Sequence, residues 1–180
     1  MPIYTKKGDR GQTGLPGDRR LPKTDQLFET LGFFDQTSAA IGVAVSQLDG
    51  KKDQALINQL QGVQSIFLSL GSCLASETPD QAEILPKLAA ETLRLEAQID
   101  EWDELLPPLR NFILAGGTPV AAALHVARSS SRFAERQFHR LSKVAGLEPI
   151  GQYLNRLSDY LFQAARFANH QAGQADIIWK

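Results

Sequence analysis

The chain has 180 residues, of which 43% are hydrophobic and 22% are charged, so it can form one well-packed domain and is typical of a soluble globular protein. Its formal net charge of -1 excludes a global positive field for nucleic acid or an acidic membrane, and no run of about 18 apolar residues could span a bilayer. A single cysteine, Cys73, excludes an internal disulfide, and without an N-terminal signal segment we expect a cytoplasmic protein.

The first 25 residues form a basic, glycine-rich arm that does not have a helical pattern. Its sequence is MPIYTKKGDRGQTGLPGDRRLPKTD. Glycines let backbone N–H groups approach an anion, and Lys and Arg supply charge, so one interpretation is a phosphate-binding loop. The other interpretation is a disordered basic tail. The arm is not a Walker A loop, because GDRGQTG lacks the GxxxxGK[ST] order and no apolar strand precedes it.

Three amphipathic helices are predicted after the arm. Apolar residues recur at spacings of three and four in three segments, residues 26–48, 53–75 and 86–106. Each segment therefore has one apolar stripe that can face a core. Asp35 falls at the edge of the first stripe.

A Gly116-Gly117 turn leads into the fourth predicted helix, residues 118–141. Thr118 is expected to be its N-cap and Pro119 its first residue, because proline has no N–H to lose there. Phe112, in the approach to the turn, is either a flat apolar wall for a ligand or ordinary core.

The fourth helix carries a charged face beside its apolar stripe. Arg128, Arg132 and Arg136 lie four residues apart, with Glu135 and His139 next to them. Three guanidinium groups on one face repel each other unless an anion lies between them, and Arg suits bidentate contacts with phosphate or carboxylate. The alternative is a solvated helix face, which is the usual explanation for a charged face taken alone. The Gly-Gly turn and the polar residues of the next helix favour anion binding.

The fifth predicted helix covers residues 150–172 and precedes a tail, residues 173–180. Its apolar stripe is bordered by a set of mostly polar side chains: Asn155, Ser158, Asp159 and Phe162. Polar groups near a core need partners, and we expect the charged face of the fourth helix to supply them. Five helices with short connections predict an all-α five-helix bundle over residues 26–172, within a single domain 1–180.

Three sequence blocks resemble the PduO-type ATP:cob(I)alamin adenosyltransferases, along almost the full length of the chain. They are IYTKKGDRGQTGL with GDRRLPKTD, FILAGGTPVAAALHVARSSSRFAERQ, and YLNRLSDYLFQAARFAN. The resemblance implies a five-helix bundle that assembles as a homotrimer, with active sites between subunits. It also implies transfer of the 5′-deoxyadenosyl group of ATP to the cobalt of cob(I)alamin, giving adenosylcobalamin and triphosphate.

The resemblance also implies roles for individual residues. The arm would wrap the ATP phosphates through Thr5, Lys6, Gly8, Asp9, Gly11 and Thr13, with the help of Lys23. The nucleotide site would be completed by Arg132, Glu135, Arg136 and Asn155. Asp35 and Arg128 would form a pair of opposite charges that supports the interface and the corrin side. Phe112 would face the corrin where the lower axial base would otherwise bind, so the catalytic set would be Arg132, Asp35, Arg128 and Phe112.

The chemistry of this reaction fits these residue types. Cob(I)alamin is itself a strong nucleophile, so the protein needs no Ser, Cys or His nucleophile and has to position the reactants. Arg, Lys and Mg²⁺ suit the charge that develops on a triphosphate leaving group. Because Mg²⁺ prefers phosphate oxygens and water, we expect it mainly through the ATP phosphates. Expected partners are a cobalamin reductase and a B12-dependent enzyme that receives the product, with no nucleic acid and no membrane.

Five positions, at three sites in the chain, depart from the usual pattern of that family. Gln36-Thr37-Ser38 stands where Glu-Leu-Asn is common, Phe133 replaces the second Arg of the RRAER block, and Ala115 replaces the Pro before Gly-Gly. Loss of one Arg is expected to weaken ATP affinity. Two rival interpretations are a non-catalytic ATP and cobalamin carrier or regulator on the same bundle, and a helical interaction module without a ligand.

Overall fold

The structure is a computed structural model that describes residues 3–17, 19–76, 81–141 and 146–180. Two short strands, β1 (Gln12–Gly14) and β2 (Arg20–Pro22), pair as an antiparallel hairpin. Five helices follow: α1 (Gln26–Val45), α2 (Gln54–Ala75), α3 (Gln81–Leu105), α4 (Pro119–Phe138) and α5 (Glu148–Gln171). The prediction of an all-α five-helix fold is confirmed. In the described part of the chain, no helix is both long and apolar enough to cross a membrane.

Local sequence signals set the beginnings of α1 and α4. The Asp25 carboxylate accepts a hydrogen bond from the Leu27 N–H at 2.9 Å and caps α1. The Thr118 hydroxyl accepts from the Ala121 N–H at 3.2 Å and caps α4 directly before Pro119, as predicted. The predicted beginning of α3 was wrong, because Pro86 lies inside a helix that already begins at Gln81. A proline in the second turn removes one helical hydrogen bond and its ring crowds the carbonyl four residues earlier, and the remaining turns of this long helix offset that cost.

The helices α4 and α5 form the centre of the bundle. α4 packs between α1 and α5, α5 also packs on α3, and α2 packs on α1 with a smaller contact to α3. Each helix contributes fully buried side chains, among them Ile41, Leu60, Leu88, Leu124 and Leu157. Burial of each such side chain stabilises the fold by about 1.5–3 kcal/mol before entropy costs.

Thr37, one of the departures from the family pattern, serves this packing. Its side chain is fully buried, and its hydroxyl lies 2.7 Å from the Phe33 carbonyl oxygen and 3.0 Å from the Ser130 hydroxyl of α4. A buried hydroxyl costs free energy unless it is hydrogen-bonded. The hydrogen bond with Ser130 therefore helps to offset the free-energy cost of burying the Thr37 hydroxyl between α1 and α4.

The N-terminal arm is held in shape by its own hydrogen bonds. The Lys23 N–H donates to the Gly11 carbonyl at 2.8 Å, and the Leu15 N–H donates to the Arg19 carbonyl at 2.7 Å. The Arg20 guanidinium donates to the Lys7 carbonyl at 2.8 Å. This arrangement favours the interpretation of the arm as an ordered loop over that of a disordered tail.

Candidate functional site

Three contacts between α4 and α5 show that the two helices run antiparallel. They are a hydrogen bond from Asn155 to Glu135 (3.0 Å), a ring contact between His125 and Phe162 (6.1 Å between centroids) and a hydrogen bond from the Thr118 N–H to Asn169 (2.9 Å). We call the surface along these contacts the α4–α5 face. At about 1.5 Å per residue, the first and last contacts lie about 25 Å apart along α4.

The end of this face near Glu135 carries two exposed arginines, Arg132 and Arg136. Within the described residues, neither makes an ion pair with a carboxylate. Glu135 instead accepts the hydrogen bond from the Asn155 Nδ2. The guanidinium carbon of Arg136 lies 4.2 Å from the centre of the Phe133 ring. This end of the face therefore presents two cations whose in-plane N–H groups can bind an anion.

The expectation that Asp159 would pair with the charged face of α4 was wrong. Its carboxylate accepts from Arg156 on the same helix at 2.7 Å. Arg156 also donates to Glu96 of α3 at 2.9 Å, so this small network faces α3. The prediction holds only for Asn155, which reaches α4 through Glu135.

The middle of the α4–α5 face contains His125 and Arg128, one turn apart. His125 is 4% exposed, and neither of its ring nitrogens has a hydrogen-bond partner in the described part of the chain. Burial lowers the pKa of His125 below its ordinary value, and the charge of Arg128 lowers it further. Burial also lowers the pKa of the Arg128 guanidinium, with a further contribution from the charge of Arg132. Positive charge in the middle of the α4–α5 face is therefore unfavourable unless an anion binds beside it.

Asp35, the predicted partner of Arg128, does not contact it within one protomer. No ion pair between them is present among the described residues, and Asp35 is exposed on α1. It borders a shallow apolar depression that is lined by Leu31, Phe34, Phe67 and Leu68. Asp35 is thus exposed on α1, whereas Arg128 is half-buried on α4 and its Nε has no hydrogen-bond partner in the described part of the chain.

The other end of the α4–α5 face adjoins a ribbon of two short segments, residues 112–114 and 177–179. Ile113 and Ile178 form the bridge of the ribbon. The Trp179 N–H donates to the Phe112 carbonyl at 2.8 Å, and the rings of these two residues meet edge-on with centroids 6.4 Å apart. Phe112 is 81% exposed and Trp179 is 60% exposed, so the alternative of Phe112 as core is wrong.

The side chains of the ribbon alternate between its two surfaces, as in any strand pair. Phe112, Leu114, Ile177 and Trp179 therefore share one surface, and all four are exposed. Apart from the indole N–H of Trp179, the four side chains of this surface carry no hydrogen-bonding group. An exposed apolar patch of this kind is typical of a binding surface.

Sequence analysis missed the residues that fix this ribbon. Arg166 is 3% exposed, and its Nε donates to the Asp176 carboxylate at 2.8 Å. A second nitrogen of Arg166 donates to the Pro107 carbonyl at 2.7 Å. Arg166 thereby ties to α5 the residue directly before the second ribbon segment and the chain leading to the first one. The sequence contains one indication of this role: Arg166 lies next to the apolar stripe of the fifth helix, where an arginine needs buried partners.

Asn169 fixes the turn before α4. Its Oδ1 accepts from the Thr118 N–H, and its Nδ2 donates to the Gly116 carbonyl at 3.2 Å. Gly117 has φ +110° there, and a Cβ on it would lie 2.2 Å from the Asn169 Oδ1. Only glycine fits this position.

The predicted phosphate-binding residues of the arm lie close to one another. Gly11 has φ +75° and Lys6 has φ +59°, which curls the backbone around Gly8. A Cβ on Gly8 would lie 3.4 Å from the Lys23 Nζ, so this ammonium group lies against the glycine backbone. Thr13 is half-buried in β1, whereas Thr5 and Asp9 are exposed. Within the described residues of one protomer, no hydrogen bond or ion pair joins the arm to the arginines of α4.

The comparisons with known proteins identify the family. Residues 3–168 match the family described as Cobalamin adenosyltransferase. The chain belongs to this family. It is 39% identical to a corrinoid adenosyltransferase of Bacillus subtilis, over 100% of this chain and 93% of that protein. It is 38% identical to corrinoid adenosyltransferase MMAB of Mus musculus, over 99% of this chain and 77% of that protein.

Solved structures agree with the sequence relatives. A variant of the PduO-type ATP:corrinoid adenosyltransferase from Lactobacillus reuteri, complexed with cobalamin and ATP, superposes with a TM-score of 0.88 at 35% identity, over 99% of both chains. Another variant of that enzyme, complexed with ATP, gives a TM-score of 0.85 at 35% identity, over 99% of this chain and 100% of that one. The predicted family and its activity, adenosyl transfer from ATP to a corrinoid, are confirmed.

Proposed function

We propose that this chain transfers the 5′-deoxyadenosyl group of ATP to the cobalt of cob(I)alamin on the α4–α5 face, in a site that a second subunit of a homotrimer completes. The observation that carries the proposal is the order of groups along this face. Exposed arginines lie at one end, and the apolar ribbon adjoins the other. ATP ends in a polyanion, and the face of a corrin is broad and apolar, so the two substrates match the two ends.

The nucleotide belongs at the arginine end. Arg132 and Arg136 would bind phosphate oxygens, and Asn155 with Glu135 would hold the remaining part of the nucleotide by hydrogen bonds. The arm of a second subunit would enclose the phosphates with backbone N–H groups and positive charge, through Thr5, Lys6, Gly8, Asp9, Gly11, Thr13 and Lys23. Support for this assignment comes from the curled backbone of the arm and from the Lys23 ammonium beside Gly8.

The corrin belongs at the apolar ribbon. Phe112 would cover the lower face of cobalt and keep the lower axial base away, and Trp179 beside it would extend the apolar surface. Arg128 on α4 and Asp35 on the neighbouring subunit would form an ion pair at the edge of this site. The exposed Asp35 carboxylate and the buried Arg128 Nε, which has no partner among the described residues of one protomer, support a pair formed between subunits.

The bundle supplies position and charge, and the corrin supplies the nucleophile. The electron pair of Co(I) attacks the ribose C5′, the cobalt–carbon bond forms and the C5′–O bond breaks, with its electrons leaving on triphosphate. Cobalt is thereby formally oxidised from Co(I) to Co(III). Arg132 stabilises the charge on the departing triphosphate, and the enclosing ribbon and arm hold C5′ in line with cobalt.

Magnesium would enter with ATP. In the described residues, no group of three or more His, Cys, Asp or Glu side chains is placed to hold a metal ion. Mg²⁺ is commonly bound by phosphate oxygens and water with few protein ligands, which fits delivery as MgATP. A cobalamin reductase that supplies Co(I), a B12-dependent enzyme that takes the product, and a cytoplasmic location complete the proposal.

The deciding experiment is anaerobic. Purified protein is mixed with MgATP and cob(I)alamin, and the cob(I)alamin absorbance and the released triphosphate are followed over time. Loss of the cob(I)alamin band with one triphosphate released per corrin is the expected result. Binding of both substrates without loss of the band would contradict the proposal and identify a carrier.

Arg132→Ala should abolish turnover while the bundle stays folded. Removal of one charge-stabilising donor costs about 10²–10³ in kcat, because the charge on the leaving group is largest in the transition state. Arg94→Ala is the matched control, since Arg94 is an exposed arginine on α3 that pairs with Glu91. A normal rate in Arg132→Ala would refute the assigned role of this residue.

A further inference from the structure

Phe133 contacts two side chains, Phe33 of α1 and Arg136 of α4, and the proposed mechanism assigns no role to these contacts. Its ring stacks on Phe33 of α1, with centroids 5.3 Å apart and an interplanar angle of 11°. The guanidinium carbon of Arg136 lies 4.2 Å from the centroid of the same ring. Phe133 itself is 44% exposed, so this stack lies at the surface of α4 on the side of α1, next to the exposed arginines.

We propose that Phe133 is a positioning residue for nucleotide binding: its ring holds the Arg136 guanidinium in the orientation that receives the ATP polyphosphate. The inference rests on the proposed function and adds a determinant of ATP affinity. It concerns a position at which this chain departs from the pattern of its family, which commonly has arginine there.

The contact leaves the donors of Arg136 free. A cation stacked on an aromatic ring uses its flat surface, whereas the N–H groups of a guanidinium lie in its plane. No carboxylate pairs with Arg136 among the described residues. Helical side chains point toward the N-terminus of their helix, so Arg136 leans over Phe133 toward the turn that carries Arg132. Both arginines can then approach the same polyphosphate.

The ring is itself fixed by the bundle. Phe33 belongs to α1, which packs along α4, and its stacking limits the rotation of Phe133. A free arginine loses much rotational freedom when it binds a ligand, and a residue that is already oriented loses less. The stack therefore lowers the entropic cost of engaging Arg136.

This arrangement changes the expectation for the missing arginine. An arginine at position 133 would place a third positive charge between Arg132 and Arg136, and like charges on adjacent turns repel each other. Phe133 removes that repulsion and improves the orientation of Arg136 in exchange for one lost donor. We therefore expect ATP to bind more tightly to the chain with Phe133 than to a chain with arginine at this position.

The test measures ATP affinity by titration calorimetry without corrin, and kcat and KM for ATP with pre-reduced cob(I)alamin. Phe133→Leu should raise the Kd and KM for ATP about tenfold, equivalent to about 1.4 kcal/mol, while kcat changes less than about twofold. Phe133→Tyr keeps the ring and should retain the wild-type values. Phe133→Arg should also raise the KM, because Arg136 loses its ring and meets another cation.

A double-mutant cycle separates positioning from general packing. Arg136→Gln should raise the KM for ATP, and adding Phe133→Leu should raise it no further, because the ring acts through Arg136. Leu93→Ala removes an exposed apolar side chain on α3 and should leave ATP binding unchanged. Thermal unfolding checks each variant, and Phe133→Met gives the same comparison should Phe133→Leu not fold.

Two results would overturn the inference: an equal effect of Phe133→Leu with and without Arg136, or tighter ATP binding by Phe133→Arg. The experiments also distinguish a failure of this inference from a failure of the proposed function. A wild-type protein that binds ATP with the expected variant pattern but leaves cob(I)alamin unchanged would refute only the transfer reaction. A wild-type protein that consumes cob(I)alamin, with ATP affinity insensitive to Phe133, would refute only the positioning role.

Discussion

At the scale of single residues, His125 is a buried group for which protonation is unfavourable. It lies one turn from Arg128 on α4, and its ring contacts Phe162 of α5. Both burial and the neighbouring guanidinium lower its pKa. A neutral imidazole at this position keeps a further positive charge away from the middle of the α4–α5 face.

The free energy of unfolding should therefore depend on pH through His125. The unfolded chain has a His125 pKa near 6.5, whereas the folded pKa is lower, so the unfolded state binds more protons between these values. Stability is fully present above the unfolded pKa and falls as the pH drops below it, by at most about 1.4 kcal/mol per pH unit. Urea unfolding between about pH 7.5 and about pH 5 measures this slope.

His125→Phe should remove this part of the pH dependence, because phenylalanine fills a similar volume without titrating. His170→Gln is the control, since it removes an exposed histidine at the end of α5 in place of the buried one. An unaltered slope in His125→Phe would assign the acid sensitivity to other groups.

Gly117 is a second residue whose replacement should have a predictable cost in stability. Gly117→Ala combines a positive φ with a clash against Asn169, and should cost about 3 kcal/mol of unfolding free energy. Gly116→Ala is a matched control, because a Cβ there meets nothing within 4 Å and the backbone is unstrained. Thermal or urea unfolding of both variants gives the comparison, and equal stabilities would argue that the turn can rearrange.

At the scale of elements, the apolar ribbon depends on one buried ion pair. Arg166 of α5 binds both the Pro107 carbonyl and the Asp176 carboxylate, so the two ribbon segments share one anchor. A buried arginine that loses its carboxylate leaves an uncompensated charge. The exposed surface around Phe112 and Trp179 is thus positioned by a contact on the opposite side of the ribbon.

Asp176→Ala should lower the free energy of unfolding by about 3 kcal/mol and alter the fluorescence of Trp179. Asp159→Ala removes a carboxylate from the exposed pair with Arg156, and should cost less than about 1 kcal/mol. Urea unfolding followed by tryptophan fluorescence reports both quantities. Similar costs for the two variants would show that Arg166 finds another partner.

Sequence periodicity predicted the five helices, the cap of α4 and the arginine face, because all of these depend on neighbours within a few residues. The ribbon could not be predicted in this way, since residues 112–114 and 177–179 are distant in the chain and show no strand pattern. Asp159 was misassigned because Arg156 on its own helix is a nearer partner. The beginning of α3 was misplaced because Pro86 was taken as a boundary. In each case a tertiary or local contact overrode a rule based on spacing.

At the scale of the whole molecule, the proposed site draws on two elements of the chain, the N-terminal arm and α4. The arm with Lys23 and the face with Arg132 share no hydrogen bond or ion pair among the described residues. Exposed apolar side chains on the bundle, among them Leu68 at 76% and Val126 at 60%, offer surfaces for association. A trimer would bring the arm of one subunit to the α4 helix of the next.

Complementation between subunits tests this arrangement. A Lys6→Ala/Lys23→Ala chain and an Arg132→Ala chain should each be inactive alone. Co-expressed in equal amounts, they should regain about one quarter of the wild-type activity, because randomly mixed rings place an intact arm next to an intact helix at that frequency. Light scattering measures the oligomeric state, and no recovery from a mixed trimer would mean that the arm and α4 act within one subunit.

The single helix α4 extends from the exposed arginines at one end to the Gly116-Gly117 turn, which connects it to the ribbon, at the other. This limits how the chain can change in evolution. Inserting one residue between Thr118 and Arg132 would rotate the arginines by about 100° relative to the turn and lengthen their separation by about 1.5 Å. Both substrates would then no longer meet at the right distance or on the same side. Insertions and deletions should therefore be confined to the connections between helices, and α4 should diverge by substitution alone, as Phe133 does.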